Sequence, residues 1–230
     1  MATILITGTN RGLGLEFVSQ YLNRGDQVIA TCRSIDTADE LRELQMSHTA
    51  LQLMEVDLRK KESIDSFAAA IKSESIDIFI SNAGVYGPRD GDFGQVTARN
   101  WLPVLEVNTI APLILTQVLI ENLRRGKDRK LVYITSRMGS IAENNGGGSY
   151  IYRSSKTALN QVVKSLAVDL ADEGFIAAVL HPGWVLTDMG GPNAMIDPDV
   201  SVKGMIAVID SLKTSMNGKF FAYDGQEIPW

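Results

Sequence analysis

The fold is decided near the start of the chain, by Thr3-Ile4-Leu5-Ile6-Thr7-Gly8-Thr9-Asn10-Arg11-Gly12-Leu13-Gly14. An apolar run leads directly into a glycine-rich turn, and apolar residues then recur at helical spacing from Leu15 to Leu22 before Gly25. This order predicts a strand, a turn and a helix. Such glycines let the backbone approach a phosphate at a helix N-terminus, although they also serve a tight turn that needs positive φ.

The same alternation continues along the chain and predicts an α/β protein. Further strands are predicted at 27–31, 50–56, 76–80, 130–135, 175–180 and 218–223. Helices are predicted between them at 36–46, 60–73, 97–108, 112–123, from Tyr152 to near Gly174, and at 200–212. Alternating strands and helices indicate a doubly wound parallel sheet with helices on both faces, and ligands bind beyond the carboxyl ends of its strands. We expect one Rossmann-type domain over residues 1–230.

Composition excludes several classes of function. The chain has 45% hydrophobic and 21% charged residues and a net charge of −5, with no basic stripe for nucleic acid or an anionic membrane. The single cysteine, Cys32, excludes an internal disulfide, and two separated histidines predict no metal site. No signal peptide is recognised, and no apolar run approaches the roughly 18 residues of a membrane span. We expect a cytoplasmic protein with no membrane span.

Tyr152 and Lys156 are the candidate acid–base pair. Four residues apart, they lie on one face of the predicted helix. An ammonium close to a phenol lowers the phenol pKa from its ordinary value of about 10, which suits proton exchange with an alcohol or carbonyl oxygen. The same spacing also occurs by chance in helices. Tyr150 has no lysine four residues later and is interpreted as a pocket or packing residue.

Two other polar residues, and two apolar ones, are weighed as site residues. Ser140 is a possible rival to Ser136 but falls inside a glycine-rich loop, and His181, at a strand end, is predicted to be structural. Trp184 and Met138 are candidates for the pocket wall or for the core.

The residues after the second strand predict the type of dinucleotide. An NAD site has an acidic residue about 20 positions after the glycine turn, but here the chain has Cys32 and Arg33. Arg33, with Arg11 in the turn as a second clamp, suits the 2′-phosphate of NADP. Either arginine alone is also compatible with a solvated surface position. NADP(H) is therefore predicted in preference to NAD(H).

Six motifs in this order resemble the short-chain dehydrogenase/reductase family, over essentially the whole chain. They are Thr7-Gly-x-x-x-Gly12-x-Gly14, Asn82-Ala83-Gly84, Asn108, Ser136, Tyr152-x-x-x-Lys156 and Pro182-Gly183. The resemblance implies a seven-stranded sheet of order 3-2-1-4-5-6-7, a nicotinamide cofactor, and a catalytic set of Asn108, Ser136, Tyr152 and Lys156. Asn144-Asn145-x-Gly147-Gly148 and the ending Asp224–Trp230 are similar to its C-factor and sniffer-type carbonyl reductase branch.

The resemblance also implies cofactor contacts. Val185 and Thr187 would meet the nicotinamide carboxamide, Asp57 and Leu58 the adenine, and Asn82 the adenosine side. The full implied set is Gly8, Asn10, Arg11, Gly12, Leu13, Gly14, Arg33, Asp57, Leu58, Asn82, Ala83, Gly84, Tyr152, Lys156, Pro182, Gly183, Val185 and Thr187.

The chain departs from the family pattern in three places. Ser81 stands where many relatives have an asparagine before Asn82, which does not change the backbone role of either position. Ser136 and Tyr152 are 16 residues apart, about three more than is usual in the family, and the glycine-rich loop between them can absorb the difference. The segment after Thr187 is short for a substrate lid, which favours an open site. Residues 85–96 form a polar loop to which the sequence assigns no role.

The expected activity is reduction of a small aldehyde, ketone or quinone by hydride transfer. Tyr152 would donate the proton, Ser136 would stabilise the developing charge, Lys156 would tune Tyr152 and hold the nicotinamide ribose, and Asn108 would hold a water that relays protons. Two alternatives remain: a dinucleotide-binding signalling protein of C-factor type with little turnover, and an NAD-dependent alcohol dehydrogenase. The resemblance also implies a homodimer or homotetramer, with helices 97–123 and 150–172 as its faces.

Overall fold

The computed structural model describes residues 1–88 and 93–230, so part of the predicted 85–96 loop, residues 89–92, lies outside the described residues. Within these ranges, all strands join one parallel sheet in the order β3-β2-β1-β4-β5-β6-β7. They are β1 (Thr3–Thr7), β2 (Gln27–Cys32), β3 (Leu51–Glu55), β4 (Ile78–Ser81), β5 (Lys130–Ile134), β6 (Ile176–His181) and β7 (Lys219–Ala222). The predicted fold class and strand order are confirmed.

Helices connect consecutive strands and cover both faces of the sheet. They are α1 (Gly12–Asn23), α2 (Asp39–Ser47), α3 (Lys61–Ala70), α4 (Ala98–Leu105), α5 (Ala111–Arg125), α6 (Tyr150–Asp169) and α7 (Pro198–Ser211). The predicted boundaries are close to these. The clearest exception is the end of α6, expected near Gly174 but found at Asp169, because a short 3₁₀ turn (Ala171–Glu173) follows before Gly174 reverses the chain at φ +79°.

Alternation along the strands divides the core into two layers. In β1, Ile4 and Ile6 face the layer that contains α1, α2 and α7, whereas Leu5 faces the layer that contains α3, α5 and α6. Successive side chains of a strand point to opposite faces, so strands covered on both sides are apolar throughout. This is why β1 reads as a continuous apolar run rather than an alternating one.

One continuous helical run, Ala98–Arg125, replaces the two helices predicted with a break before Pro112. Its parts are α4, a π-helical turn over Glu106–Ile110, and α5. Pro103 lies inside α4 without ending it, although proline removes one helical hydrogen bond. A π-helical turn often marks a functional position, and here it contains Asn108 with its side chain fully buried.

The same run is long and apolar enough to cross a membrane by length and composition, with a mean hydropathy of 1.6 over 18 residues. This differs from the expectation that no stretch approaches such a span. Leu115, Leu119 and Leu123 of the run are buried in the core layer against the sheet. Packing against the sheet therefore accounts for these three leucines, whereas Leu102, Ile110 and Ile114 of the run are exposed.

Candidate active site

A cavity of about 810 Å³ lies where the strands of the sheet end. It is bordered by residues that follow β1, β2, β3, β4 and β6, as the parallel arrangement requires. Its lining includes every residue of the predicted cofactor set except Gly14, Gly183 and Val185. A volume of this size falls in the range of small-molecule sites.

The glycine turn is held against the chain that follows β4. A Cβ on Gly14 would lie 2.1 Å from the Gly8 carbonyl oxygen, and one on Gly8 would lie 2.8 Å from the Ala83 Cα. The Asn82 side-chain amide donates to the carbonyl oxygens of Thr7 (2.9 Å) and Gly8 (3.0 Å). Gly8 and Gly14 are therefore required for close packing, and Asn82 fixes the turn from behind.

The first turn of α1 is open to an anion. The helix begins at Gly12, and its first turn has neither an acidic residue nor a hydrogen bond from the Arg11 side chain. Uncapped amides at a helix N-terminus, together with the helix dipole, bind phosphate. Gly12 lines the cavity opposite Thr187, to whose Cγ2 its Cβ would come within 3.5 Å. These residues fit the phosphates of a dinucleotide.

The two arginines predicted to hold a 2′-phosphate are in different situations. Arg11 forms an ion pair with Asp188, which follows β6, and both side chains are mostly exposed at 68% and 75%. Arg33 lines the cavity and forms no ion pair with any residue the structure describes. Arg33 is thus the available cation, whereas Arg11 would have to leave Asp188 to reach a phosphate.

Ser136 and Tyr152 are adjacent despite the long loop between them. Ser136 follows β5 directly, and Tyr152 is in the first turn of α6. Their hydroxyls share a hydrogen bond, and the Ser136 Oγ also accepts from the Met138 amide at 3.2 Å. Tyr152 and Lys156 line the cavity, whereas Ser136 is outside its lining and reaches the Tyr152 phenol from beside it.

The protonation of this pair differs from the sequence expectation. Burial raises the pKa of Tyr152 to about 12, while its hydrogen bond with Ser136 opposes the rise and the neighbouring Tyr86 adds to it. The Lys156 Nζ lies 5.9 Å from the Tyr152 ring centre and donates to the Ile134 carbonyl oxygen at 2.9 Å. The expectation that Lys156 lowers the phenol pKa is therefore wrong for this structure. Tyr152 carries its proton at neutral pH.

Burial also changes Lys156 itself. It lowers the pKa of the ammonium to about 8, since a charged group loses its hydration in the protein interior. A lysine in this state carries a positive charge at neutral pH at a free-energy cost. It is therefore poised to be stabilised by any negative charge that enters the cavity beside it.

Asn108 joins the β4 side of the site to α6. Its Oδ1 accepts from the Val85 amide (2.9 Å), and its Nδ2 donates to the Val85 carbonyl oxygen (2.8 Å) and to the Ser155 Oγ (3.0 Å). A Cβ on Gly84 would lie 3.3 Å from Oδ1 and 3.4 Å from the Lys156 Nζ, so Asn108 and Lys156 flank this glycine. The Asn108 side chain is occupied by protein partners and positions α6.

Two of the rival polar residues have other partners. The Ser140 Oγ donates to the Pro229 carbonyl oxygen (2.6 Å) and accepts from the Glu143 amide (3.1 Å), so it holds the end of the chain. His181 is largely buried, and burial together with Arg137 lowers its pKa to about 4. It is neutral at physiological pH, as expected for a structural histidine.

The three remaining candidates lie outside the cavity lining. Tyr150 is 41% exposed and packs beside Phe93. The Trp184 Nε1 donates to the Gly190 carbonyl oxygen at 2.8 Å, and Met138 is partly buried after β5. Among the described residues, Tyr150 and Trp184 make no resolved interaction with the Tyr152–Ser136 pair, whereas the Met138 amide donates to the Ser136 Oγ.

Several residues of the cavity were missed by the sequence interpretation. They include Glu40, Val85, Leu186, Asp188 and Met189. Two were detectable from their neighbours, because Val85 follows Asn82-Ala83-Gly84 directly and Leu186 lies between two predicted contacts. Glu40 is on a helix far from any motif, and nothing in the sequence indicates that it approaches the cavity. Residues 1–88 and 93–230 contain no group of three or more His, Cys, Asp or Glu that could hold a metal ion.

The structure combines a seven-stranded parallel sheet, a glycine turn after β1 and a buried Tyr-x-x-x-Lys pair. This combination is typical of one class of dinucleotide-dependent oxidoreductases. Residues 2–195 match the family model described as short chain dehydrogenase. The chain belongs to the short-chain dehydrogenase family of oxidoreductases.

Individual relatives lie in the expected branch. The chain is 44% identical over 165 residues to the C-signal protein of Myxococcus xanthus. The aligned region covers 72% of this chain and 99% of that protein. It is similar in structure to the carbonyl reductase Sniffer of D. melanogaster (TM-score 0.95, 35% identity, 100% of both chains). It is also similar to an NADPH-bound carbonyl reductase from chicken fatty liver (TM-score 0.93, 31% identity, 100% of this chain and 99% of that one). The predicted family and branch are confirmed.

Proposed function

We propose that this protein reduces the carbonyl group of an aldehyde, ketone or quinone to the alcohol with NADPH. One observation carries the proposal: a buried phenol, Tyr152, faces the cavity, shares a hydrogen bond with Ser136 and keeps its proton at neutral pH because its pKa is raised to about 12. A protonated acid at this position suits the reducing direction, in which the carbonyl oxygen must gain a proton.

The residues divide the chemistry as follows. NADPH, when bound, would supply a hydride to the carbonyl carbon. Tyr152 donates its proton to the carbonyl oxygen as negative charge develops there, and the Ser136 hydroxyl stabilises the same charge. The phenolate left on Tyr152 is stabilised by the Lys156 ammonium, whose charge then gains a partner in a buried site. We keep Asn108 as the residue beside which a water would return the proton, and its side chain is held in place by Val85 and Ser155.

The first experiment replaces the acid. Tyr152→Phe should lower kcat by about 10³-fold, within the range typical of a lost general acid, and should leave the Kd for NADPH within about twofold. Tyr150→Phe is the matched control, since it removes a phenol from the same helical turn outside the cavity. Turnover by Tyr152→Phe above a few per cent of the wild-type rate would overturn the assignment.

We propose NADPH as the preferred cofactor because Arg33 lines the cavity and forms no ion pair within residues 1–88 and 93–230. A fluorescence titration with NADPH and with NADH tests this. Arg33→Ala should weaken NADPH binding about tenfold, or about 1.4 kcal/mol, without changing NADH binding. Arg42→Ala, on the exposed side of α2, is the control. Equal affinity of the wild-type protein for the two cofactors would contradict the preference, and tighter NADH binding would favour an NAD-dependent alcohol dehydrogenase.

The likeness to the C-signal protein favours a second candidate, a signalling protein that binds a dinucleotide with little turnover. The two candidates differ in the outcome of one assay. NADPH binding without turnover of any member of an aldehyde, ketone and quinone panel would support the second. Turnover that Tyr152→Phe abolishes would support the first.

Assembly and location are further parts of the proposal. Leu102, Ile110, Ile114 and Val168 are apolar and exposed on α4, the π-helical turn, α5 and α6, which are the predicted contact helices. We propose a homodimer or homotetramer through this surface, tested by light scattering of the wild type and of Ile110→Glu. A monomeric wild type would contradict it. We further propose a cytoplasmic location, tested by cell fractionation.

A further inference from the structure

An aromatic residue outside the known motifs covers the Tyr152 ring. Tyr86 lies two residues beyond Gly84, on the chain that follows β4. Its ring stacks on that of Tyr152 with centroids 4.5 Å apart and an angle of 24° between the planes. Tyr152 faces the cavity, whereas Tyr86 is not part of its lining. The stack therefore covers one face of the Tyr152 ring with a residue outside the cavity lining.

The Tyr86 hydroxyl contacts Ser149, the residue that precedes α6. It lies 3.2 Å from the Ser149 Oγ, and α6 begins at the next residue, Tyr150. Serine at this position usually caps a helix through its side chain, but the Ser149 side chain makes no such bond to α6. Ser149 also adopts φ +48°, a left-handed conformation that costs free energy for a residue other than glycine.

We propose that Tyr86 is a positioning residue for the Tyr152 phenol: its ring covers one face of Tyr152, and its hydroxyl bond to Ser149 fixes that cover to the start of α6. The Ser149 side chain does not cap α6, and its backbone is strained. Its hydroxyl interacts with the Tyr86 hydroxyl instead. The pair thus connects the loop after β4 to the helix that carries the acid.

The connection has a chemical consequence at Tyr152. Its raised pKa results mainly from burial, with a further contribution from Tyr86. Removal of the Tyr86 ring would admit water to the Tyr152 ring face and bring the phenol pKa down toward its ordinary value of about 10. Removal of the Tyr86 hydroxyl alone would keep the cover but release it from α6.

The deciding experiment titrates Tyr152 directly in the full chain without cofactor. With ¹³Cζ-labelled tyrosine, Tyr152→Phe identifies the Tyr152 signal in the NMR spectrum. The wild-type signal should not titrate below about pH 11, whereas in Tyr86→Leu its midpoint should fall by at least one pH unit. Trp101→Phe is the matched control, because the Trp101 Nε1 bonds the Ser154 Oγ of the same helix (2.9 Å) without touching Tyr152. An unchanged midpoint in a folded Tyr86→Leu protein would overturn the proposal.

A kinetic cycle tests the connection to α6, and this arm rests on the proposed function. Tyr86→Phe and Ser149→Ala should each lower kcat about threefold with the KM for NADPH unchanged, and the double variant should lose no more than either single one, because both remove the same bond. Additive losses would contradict the coupling. If Tyr86→Leu does not fold, this cycle decides the proposal. If the wild-type protein has no turnover, the proposed function fails while the titration still tests the role of Tyr86.

Discussion

The polar groups at the two ends of the sheet differ in how fully their hydrogen bonds are satisfied within the protein. At the amino end, the Asp77 carboxylate accepts from the Thr3 and Lys127 amides at 2.8 and 2.7 Å. The Asp26 carboxylate there accepts from the Ala2 amide and pairs with Arg24. These carboxylates join neighbouring segments where the strands begin, and their hydrogen-bonding capacity is used within the protein.

At the carboxyl end, several polar groups remain incompletely satisfied. Lys156 holds a charge that burial disfavours. The buried Thr31 Oγ1 and His181 Nδ1 have no hydrogen-bond partner in the part of the chain that the structure describes. An unsatisfied buried group costs about 1–3 kcal/mol. The two carboxylates at the amino end therefore contribute stability, although the buried Tyr21 hydroxyl beside Arg24 has no partner among the described residues. At the carboxyl end, Lys156 carries a cost that a ligand can relieve. Substitutions at the two ends should therefore separate stability from binding.

The largest expected effect is at Gly14, at the carboxyl end of the sheet. This position is an exception to the comparison, because the glycine turn contributes to stability through close packing as well as to ligand binding. Gly14→Ala places a methyl group 2.1 Å from the Gly8 carbonyl oxygen, so the turn must move. We expect the free energy of unfolding to fall by about 3 kcal/mol or more, measured by urea denaturation. Gly146→Ala, whose Cβ meets nothing within 4 Å, should change it by less than about 0.5 kcal/mol. Similar values for the two variants would show that the turn is not close packed.

The next effect is at the amino end and sharpens the comparison. Asp77→Ala leaves two backbone amides without their acceptor and should lower the free energy of unfolding by about 2–3 kcal/mol. The Kd for NADPH of the folded fraction should stay within twofold, because Asp77 lies at the other end of the sheet. Asp77→Asn keeps one carbonyl acceptor and should lose about half as much. A weakened NADPH affinity would mean that the two ends are coupled.

The smallest effect has the opposite sign. Lys156→Met removes a buried charge and should raise the free energy of unfolding at pH 7 by about 1–2 kcal/mol while abolishing turnover. The folded-state pKa of about 8 lies below the ordinary 10.5, so the unfolded chain binds more protons between these values. Wild-type stability from this group therefore rises from pH 8 to 10.5, and the variant should lack that rise. Destabilisation at pH 7 would show that Lys156 contributes to folding.

The alternation of strand and helix signals along the chain made most of the fold predictable from sequence. Strand, turn and helix each have local signals, and the glycines of the first turn mark both its geometry and its ligand. The long helix was predicted less well, because Pro112 was interpreted as the first turn of a second, separate helix. Pro112 does lie in the first turn of α5, but the preceding π-helical turn lets the helix continue through it. No residue pattern announces that turn.

Contacts between distant segments could not be predicted. The Arg11–Asp188 pair joins residues 177 positions apart, and the Tyr86 hydroxyl meets Ser149 across 63. The pKa values of site residues also depend on these contacts between distant segments. The spacing of Tyr152 and Lys156 was correct, but the pKa of the phenol follows from how deeply it is buried and not from that spacing.

The left-handed stretch before α6 has an evolutionary consequence. Gly147, Gly148 and Ser149 adopt φ values of +63°, +62° and +48° in succession, so the chain direction is reset immediately before the helix starts. Residues can be inserted or deleted ahead of this reset without displacing Tyr152 from Ser136, because the helix is anchored by contacts of its own. We therefore expect the number of residues between the two hydroxyls to vary among related proteins. A comparison of relatives that scores the two segments separately would test this expectation.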